Sequence, residues 1–221
     1  MPDSYETQIC NTALALIGSG VDENYVDDYE GDTTQTAQWC RRLLPQCKDL
    51  VLTSFTFVET VKYLAGTSGG GDDTSVVHPD WLYAYPLPSG CKKLLGLVAS
   101  NNGAASIDYS EGMSFYPLHV LMDWERYQGY VLTNYTTSEF YWWYVYDVAY
   151  SELSEATRDA IAHLLAVKMV GAVIKGGDGL AMRRQLYQEY EQFARKNAIV
   201  LNQRQMFNPA PNGATSSIDI V

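Results

Sequence analysis

Six carboxylates fall between positions 22 and 32: Asp22, Glu23, Asp27, Asp28, Glu30 and Asp32, with no basic side chain among them. Hard divalent cations gather several oxygen ligands, so calcium binding is the chemistry such a cluster raises. The spacing does not follow the EF-hand pattern, and a solvated acidic loop leading into a capped helix is the simpler reading. His78, His119 and His163 stand far apart, none with a second histidine three or four residues on, so no zinc motif is present in the sequence. No serine lies in a G-x-S-x-G elbow. No catalytic residue, metal or cofactor is assigned from these residues, and the chain is read as a non-enzyme.

Cys10, Cys40, Cys47 and Cys91 lack C-x-x-C spacing, and three of them fall inside helical patterns. They are expected to be buried, reduced thiols that pack as small apolar side chains.

Aromatic stacking is the remaining chemistry. From Asp80 to Tyr150, 17 of 71 residues are Phe, Trp or Tyr, and exposed rings of this kind suit single-stranded nucleic acid or sugar. Charge opposes the nucleic-acid version. The block carries only Lys92, Lys93 and Arg126 against seven acidic residues, and the whole chain of 221 residues has a net charge of −11, which repels phosphate backbones. Core packing and subunit contact are left as the main role of the aromatics, with glycan binding as the alternative.

Helices must frame this block. An amphipathic helix is expected from about Ser4 to Ile17, with Asp3 and Glu6 at capping-box spacing and Gly18 closing it. A second, introduced by Asp32 and Gln35, carries an apolar stripe through Ala37, Cys40, Leu43, Leu44, Cys47, Leu50 and Val51, and Pro45 is expected to kink or split it. Residues 55–64 read as strand or short helix. A third helix follows Ser154 and runs to Gly176-Gly177, and Asp178 introduces a fourth with Met182, Leu186, Tyr190, Phe193 and Ala194 on one face. Its longest apolar stretch, Ile161 to Ile174, is interrupted by His163 and Lys168 and falls short of a membrane span. The opening residues, Met1-Pro2-Asp3-Ser4-Tyr5-Glu6, do not resemble a signal peptide, so assembly in a cytoplasm is expected.

The domain organisation expected is therefore α+β. A discontinuous four-helix bundle (1–64 and 151–200) flanks a flexible Gly-rich loop (65–80) and an inserted antiparallel, aromatic-rich β domain (81–150), and an extended tail occupies 201–221. Strands are expected near 81–87, 93–99, 105–109, 114–122, 124–133 and 139–148, with turns at Asn102-Gly103, Glu111-Gly112 and Gln128-Gly129. Pro86 and Pro88 confine the first of these strands to a sheet edge or to a short ladder. In the last, Phe140, Trp142, Tyr144 and Tyr146 alternate with Tyr141, Trp143 and Val145, so each face needs a cover.

Three stretches and a helix occur in the order of one known family. They are Ile9-Cys10-Asn11-Thr12-Ala13-Leu14-Ala15-Leu16-Ile17-Gly18, the string from Trp81 to Cys91, Leu132-Thr133-Asn134-Tyr135 running on to Asp147, and the Ala/Leu-rich penultimate helix. Together they resemble the head-to-tail adaptor, or tail tubular protein A, of short-tailed bacteriophages. The Gly-rich loop after Leu64 and the tail beyond Asn202 lie outside the likeness, and Trp142-Trp143 is bulkier than the family pattern. The resemblance implies a structural virion protein forming a homo-oligomeric ring of about 12 copies beneath the portal, joining it to the tail nozzle, with DNA passing through without tight binding and no membrane involved. Trp81, Tyr85, Trp142, Trp143 and Tyr144 are the expected subunit or portal contacts, and Trp81 and Tyr85 are also expected to hold the β part to the helices. Ile218 and Ile220, near the end of the tail, are expected to dock on the portal by coupled ordering. The alternative function is a glycan-binding or peptidoglycan-acting tail module that uses the aromatic block; a scaffold of unrelated origin is a third reading.

Overall fold

The computed structural model describes residues 4–18, 25–99, 121–173 and 178–198, and within them the chain is α+β: four α-helices and two small antiparallel sheets. The strands expected at 105–109 and over most of 114–122, the Gly176-Gly177 stop and the tail with Ile218 and Ile220 lie outside the described residues.

Helix α1 spans Tyr5–Leu16. Its cap is Ser4, whose hydroxyl accepts from the Thr7 amide at 3.2 Å; Asp3 of the expected capping pair lies outside the described residues. Ile9, Cys10, Ala13 and Leu14 are buried, and Gly18 follows in the left-handed region at φ +71°, where a C′ glycine carries no steric cost. Helix α2, Gln35–Ser54, is capped by Thr34 rather than Asp32, through the Ala37 amide at 3.3 Å. It is not split at Pro45. The stripe of Ala37, Cys40, Leu44, Cys47 and Val51 stays buried on both sides of the exposed proline, and that burial outweighs the roughly 3 kcal/mol cost of an interior proline. Leu50, expected in this stripe, is instead 45% exposed.

Val58–Thr60 form a short 3-10 turn and Val61–Ala65 the strand β1, so the ambiguous segment is both things in succession. The remaining strands are β2 (Tyr83–Pro86), β3 (Cys91–Ala99), β4 (Leu121–Met122), β5 (Glu125–Tyr127), β6 (Tyr130–Thr133) and β7 (Phe140–Tyr146). One sheet has the order β1-β7-β3-β4 and the other β2-β6-β5. The single strand expected over 124–133 is in fact a hairpin. Tyr127 pairs with Tyr130 around Gln128 (φ 48°) and Gly129 (φ 90°), the double left-handed geometry of a type I′ turn whose twist matches the flanking strands. Strand β2, ending at Pro86, is an edge, as its prolines allow.

Helix α3, Glu155–Val173, is capped by Ser154 and buries ten of its residues; it packs on α1, α2 and α4 (Asp178–Asn197). Asp178 is the first helical residue, not the cap. The described residues divide into two units, the first from within 1–62, 90–94 and 144–200, the second from within 63–89 and 95–143. Three of the boundaries fall within β1, β3 and β7.

Candidate functional site

In the first unit, the acidic stretch is held by a cation of the chain's own. The Arg41 guanidinium donates to the carbonyls of Tyr29 (2.6 Å), Glu30 (3.2 Å) and Asp32 (2.6 Å). Carboxylates cap backbone amides: Asp28 accepts from Glu30 and Gly31, and Asp32 from Thr34 at 2.7 Å. Those backbone hydrogen bonds, with Arg41 nearby, hold the Asp32 carboxyl below the usual carboxylate range. The Asp28 and Asp32 carboxylates are engaged in this way, Asp22 and Glu23 lie outside the described residues, and among the described residues no group of three or more His, Cys, Asp or Glu is arranged for a metal. Two buried side chains of α1 fasten the same loop. Asn11 donates from Nδ2 to the Val26 carbonyl (3.0 Å) and accepts from the Val26 amide (2.9 Å), and Thr7 accepts from the Tyr29 amide (3.1 Å). The outcome is a fixed loop that presents Tyr25, Asp27, Asp28 and Glu30 to solvent.

Asp147, just after β7, sits between two lysines. Lys48 meets it at 2.7 Å and Lys92 at 3.3 Å, while Lys92 also reaches Asp49 at 2.7 Å. Burial opposes the Asp147 charge, but the bonds from Lys48 and Lys92 outweigh it and keep the carboxyl below its ordinary value. Cys10, Cys40 and Cys47 are buried in the helices, with Cys40 Sγ 3.8 Å from Met169 Sδ. Burial pushes the Cys47 thiol up to about 12. His163 bonds through Nδ1 to the Asp159 carbonyl (2.8 Å) and stacks on Phe193, a satisfied histidine. His119 lies outside the described residues.

Four of the five aromatic residues singled out from the sequence form core. Tyr85, Trp142, Trp143 and Tyr144 are each at most 5% exposed, so their rings offer neither a platform for sugar nor a free surface for a partner. This corrects their expected place on an exposed interface: the neighbours that cover both faces of β7 belong to the same chain. In the second unit Tyr85 packs on Phe140 and Trp142, and its hydroxyl donates to the Tyr135 carbonyl at 3.3 Å. Trp143 stacks on Tyr63. Trp81 is half-buried and donates from its indole to Glu125 at 3.0 Å. The partners described for Trp81 and Tyr85 are thus residues of the second unit. His78 accepts from the Asp80 amide at 3.3 Å and sets its ring edgewise against Tyr127.

The Gly-rich stretch is tied down more firmly than its composition suggests. The Asp73 amide donates to the Ala84 carbonyl (2.8 Å), Asp72 accepts from the Ala84 amide (2.9 Å), and the Tyr130 hydroxyl donates to Asp73 (2.7 Å). Gly69 lies directly against the indole nitrogen of Trp142 and Gly66 against the carbonyls of Thr137 and Phe140.

Sequence reasoning passed over an open apolar groove in the first unit. It occupies about 460 Å³. Leu164 and Val167 of α3 form its floor, and Leu50, Leu180 and Tyr187 stand 45%, 65% and 47% exposed along it. Lys168, Arg183 and Arg184 rim it. Leu50 in the α2 stripe was the available signal, since a leucine on the apolar face that is not covered marks where that face runs out of neighbours. Comparison of the sequence with protein-family models and with curated proteins found no match. No described helix is long and apolar enough to cross a membrane.

Proposed function

We propose that this chain is a structural virion protein of the head-to-tail adaptor kind. Its four helices form a discontinuous bundle with the aromatic β part inserted, and about 12 copies close into a ring that joins portal to tail nozzle. The genome slides through an acidic, non-adhesive lumen. The carboxy-terminal tail, with Ile218 and Ile220, docks on the portal.

The observation that supports this reading is what the family-like motif residues do. Asn11 latches Val26, Gly18 closes α1, Thr133 donates from its buried hydroxyl to the Asp123 carbonyl (3.0 Å), and Asn134 accepts from the Leu82 amide (3.0 Å). Every one of these sets backbone shape and none presents a reactive group, which suits a motif of architecture. The glycan-binding alternative loses support because four of its rings, Tyr85, Trp142, Trp143 and Tyr144, are buried.

Negative-stain imaging of the purified chain mixed with the portal ring of the same virion tests the proposal. A second ring of density on the portal is expected. No association with the portal, together with a tryptophan fluorescence shift on adding host polysaccharide, would replace it with the glycan reading.

A further inference from the structure

We propose that the groove between α2, α3 and α4 receives the acidic loop of a second copy of this chain, with Tyr25 entering the groove and Asp27 and Glu30 meeting Arg183, Arg184 and Lys168. The inference rests on the adaptor reading and names the contact that would propagate the ring.

Charge selects the occupant. The chain carries 26 acidic and 15 basic residues, yet this apolar groove is lined by three basic residues, Lys168, Arg183 and Arg184, and by no acidic one. None of the ion pairs among the described residues uses these three. A surface of that composition favours an apolar side chain flanked by carboxylates. The loop offers this: Tyr25 is 50% exposed, and Asp27, Asp28 and Glu30 are exposed beside it. It is also rigid in advance, because Asn11, Thr7 and Arg41 hold Val26, Tyr29, Glu30 and Asp32 by their backbone groups. Little ordering entropy is then lost on docking.

Loop and groove are different surfaces, so the contact is heterologous and each copy uses both. One loop in one groove buries less than the roughly 1,200 Å² of a stable interface. A single contact is therefore weak but measurable at low salt and high protein concentration, and closure of a ring strengthens it.

Two charge-reversal variants test the pairing by sedimentation of the full chain at low salt. R183E/R184E spoils the groove and keeps the loop; D27K/E30K spoils the loop but spares Asp28 and Asp32, which shape it. Wild type is expected to self-associate with rising concentration, each variant alone to lose association by on the order of tenfold or more, and an equimolar mixture to form a dimer that grows no further. Circular dichroism of each variant confirms that it is folded. Variants that associate like wild type, a mixture that yields no dimer, or a wild type that stays monomeric would each overturn the pairing. A wild-type ring on the portal that R183E/R184E forms equally well removes this contact and leaves the adaptor reading standing. A wild type that ignores the portal removes that reading, while the mixed dimer is still judged alone.

Discussion

Glu59 and Ser154 are joined twice across 95 residues of chain. The Glu59 carboxylate accepts from the Ser154 amide at 3.1 Å and from its hydroxyl at 2.5 Å, and takes a third bond from the Thr157 hydroxyl at 2.5 Å. Ser154 in turn accepts from the Thr157 amide. The first turn of α3 thus has a cap of its own and a remote carboxylate set at the positive end of its dipole.

Substituting Glu59→Gln is expected to destabilise the chain by about 1–2 kcal/mol at neutral pH. Burial opposes the Glu59 charge, yet the bonds from Ser154 and Thr157 outweigh it and lower the pKa. A lowered folded-state pKa stabilises above the unfolded value of about 4.3 and ceases to do so as the pH falls through the folded value. Urea melts of wild type and variant should therefore differ at pH 7 and converge below about pH 4.

Replacing Asn11 by Leu keeps the volume and removes both hydrogen bonds to Val26. The buried Val26 amide and carbonyl are then without those partners, a loss of about 2–4 kcal/mol for the two groups. Asn11→Asp should recover part of it, since a carboxylate still accepts from the amide but cannot donate to the carbonyl. Denaturant midpoints of the two variants give the order.

Three neighbouring glycines should respond differently to alanine. A methyl at Gly66 would press on the Thr137 and Phe140 carbonyls and one at Gly69 on the Trp142 indole, whereas Gly71 has open space. Gly66→Ala and Gly69→Ala are expected to cost about 2 kcal/mol or more each, and Gly71→Ala close to nothing. Thermal melts separate the cases.

Thiol labelling at pH 8 should spare Cys10 and Cys47 in the native chain and reach them in denaturant. The Cys40 sulphur beside it and its burial hold the Cys10 thiol above its ordinary value, and burial chiefly raises that of Cys47. Peptide mapping after iodoacetamide shows which cysteines reacted; fast native labelling of either would contradict the burial.

Local periodicity located what depends on neighbours in sequence. The buried stripes of α1, α2 and α3, the Ser154 cap, the edge position of β2 and the two-sided burial of β7 all follow from spacing and turn chemistry. Partnerships between distant residues were not legible. Nothing adjacent to Glu59 points to Ser154, nothing near Arg41 marks three carbonyls on the loop before it, and an Asn on a helix face reads as surface until Val26 comes beside it. The Gln128-Gly129 turn was legible, but the strand expected over 124–133 ran across it instead of folding back there. The aromatics misled as an interface for a related reason: composition counts rings but cannot say which of them the chain itself covers.

Strand β7 has Trp142, Trp143, Tyr144 and Val145 buried in succession. Most strands are kept in register by polar and apolar residues facing opposite ways, so that a slip by one exposes the wrong set. Here a slip would exchange one aromatic for another at little hydrophobic cost. The glycines supply index marks: Gly66 seats on the Thr137 and Phe140 backbone and Gly69 on the Trp142 ring, close approaches that a Cβ at either position would forbid. The least adorned residues of the chain therefore mark the alignment of its bulkiest ones.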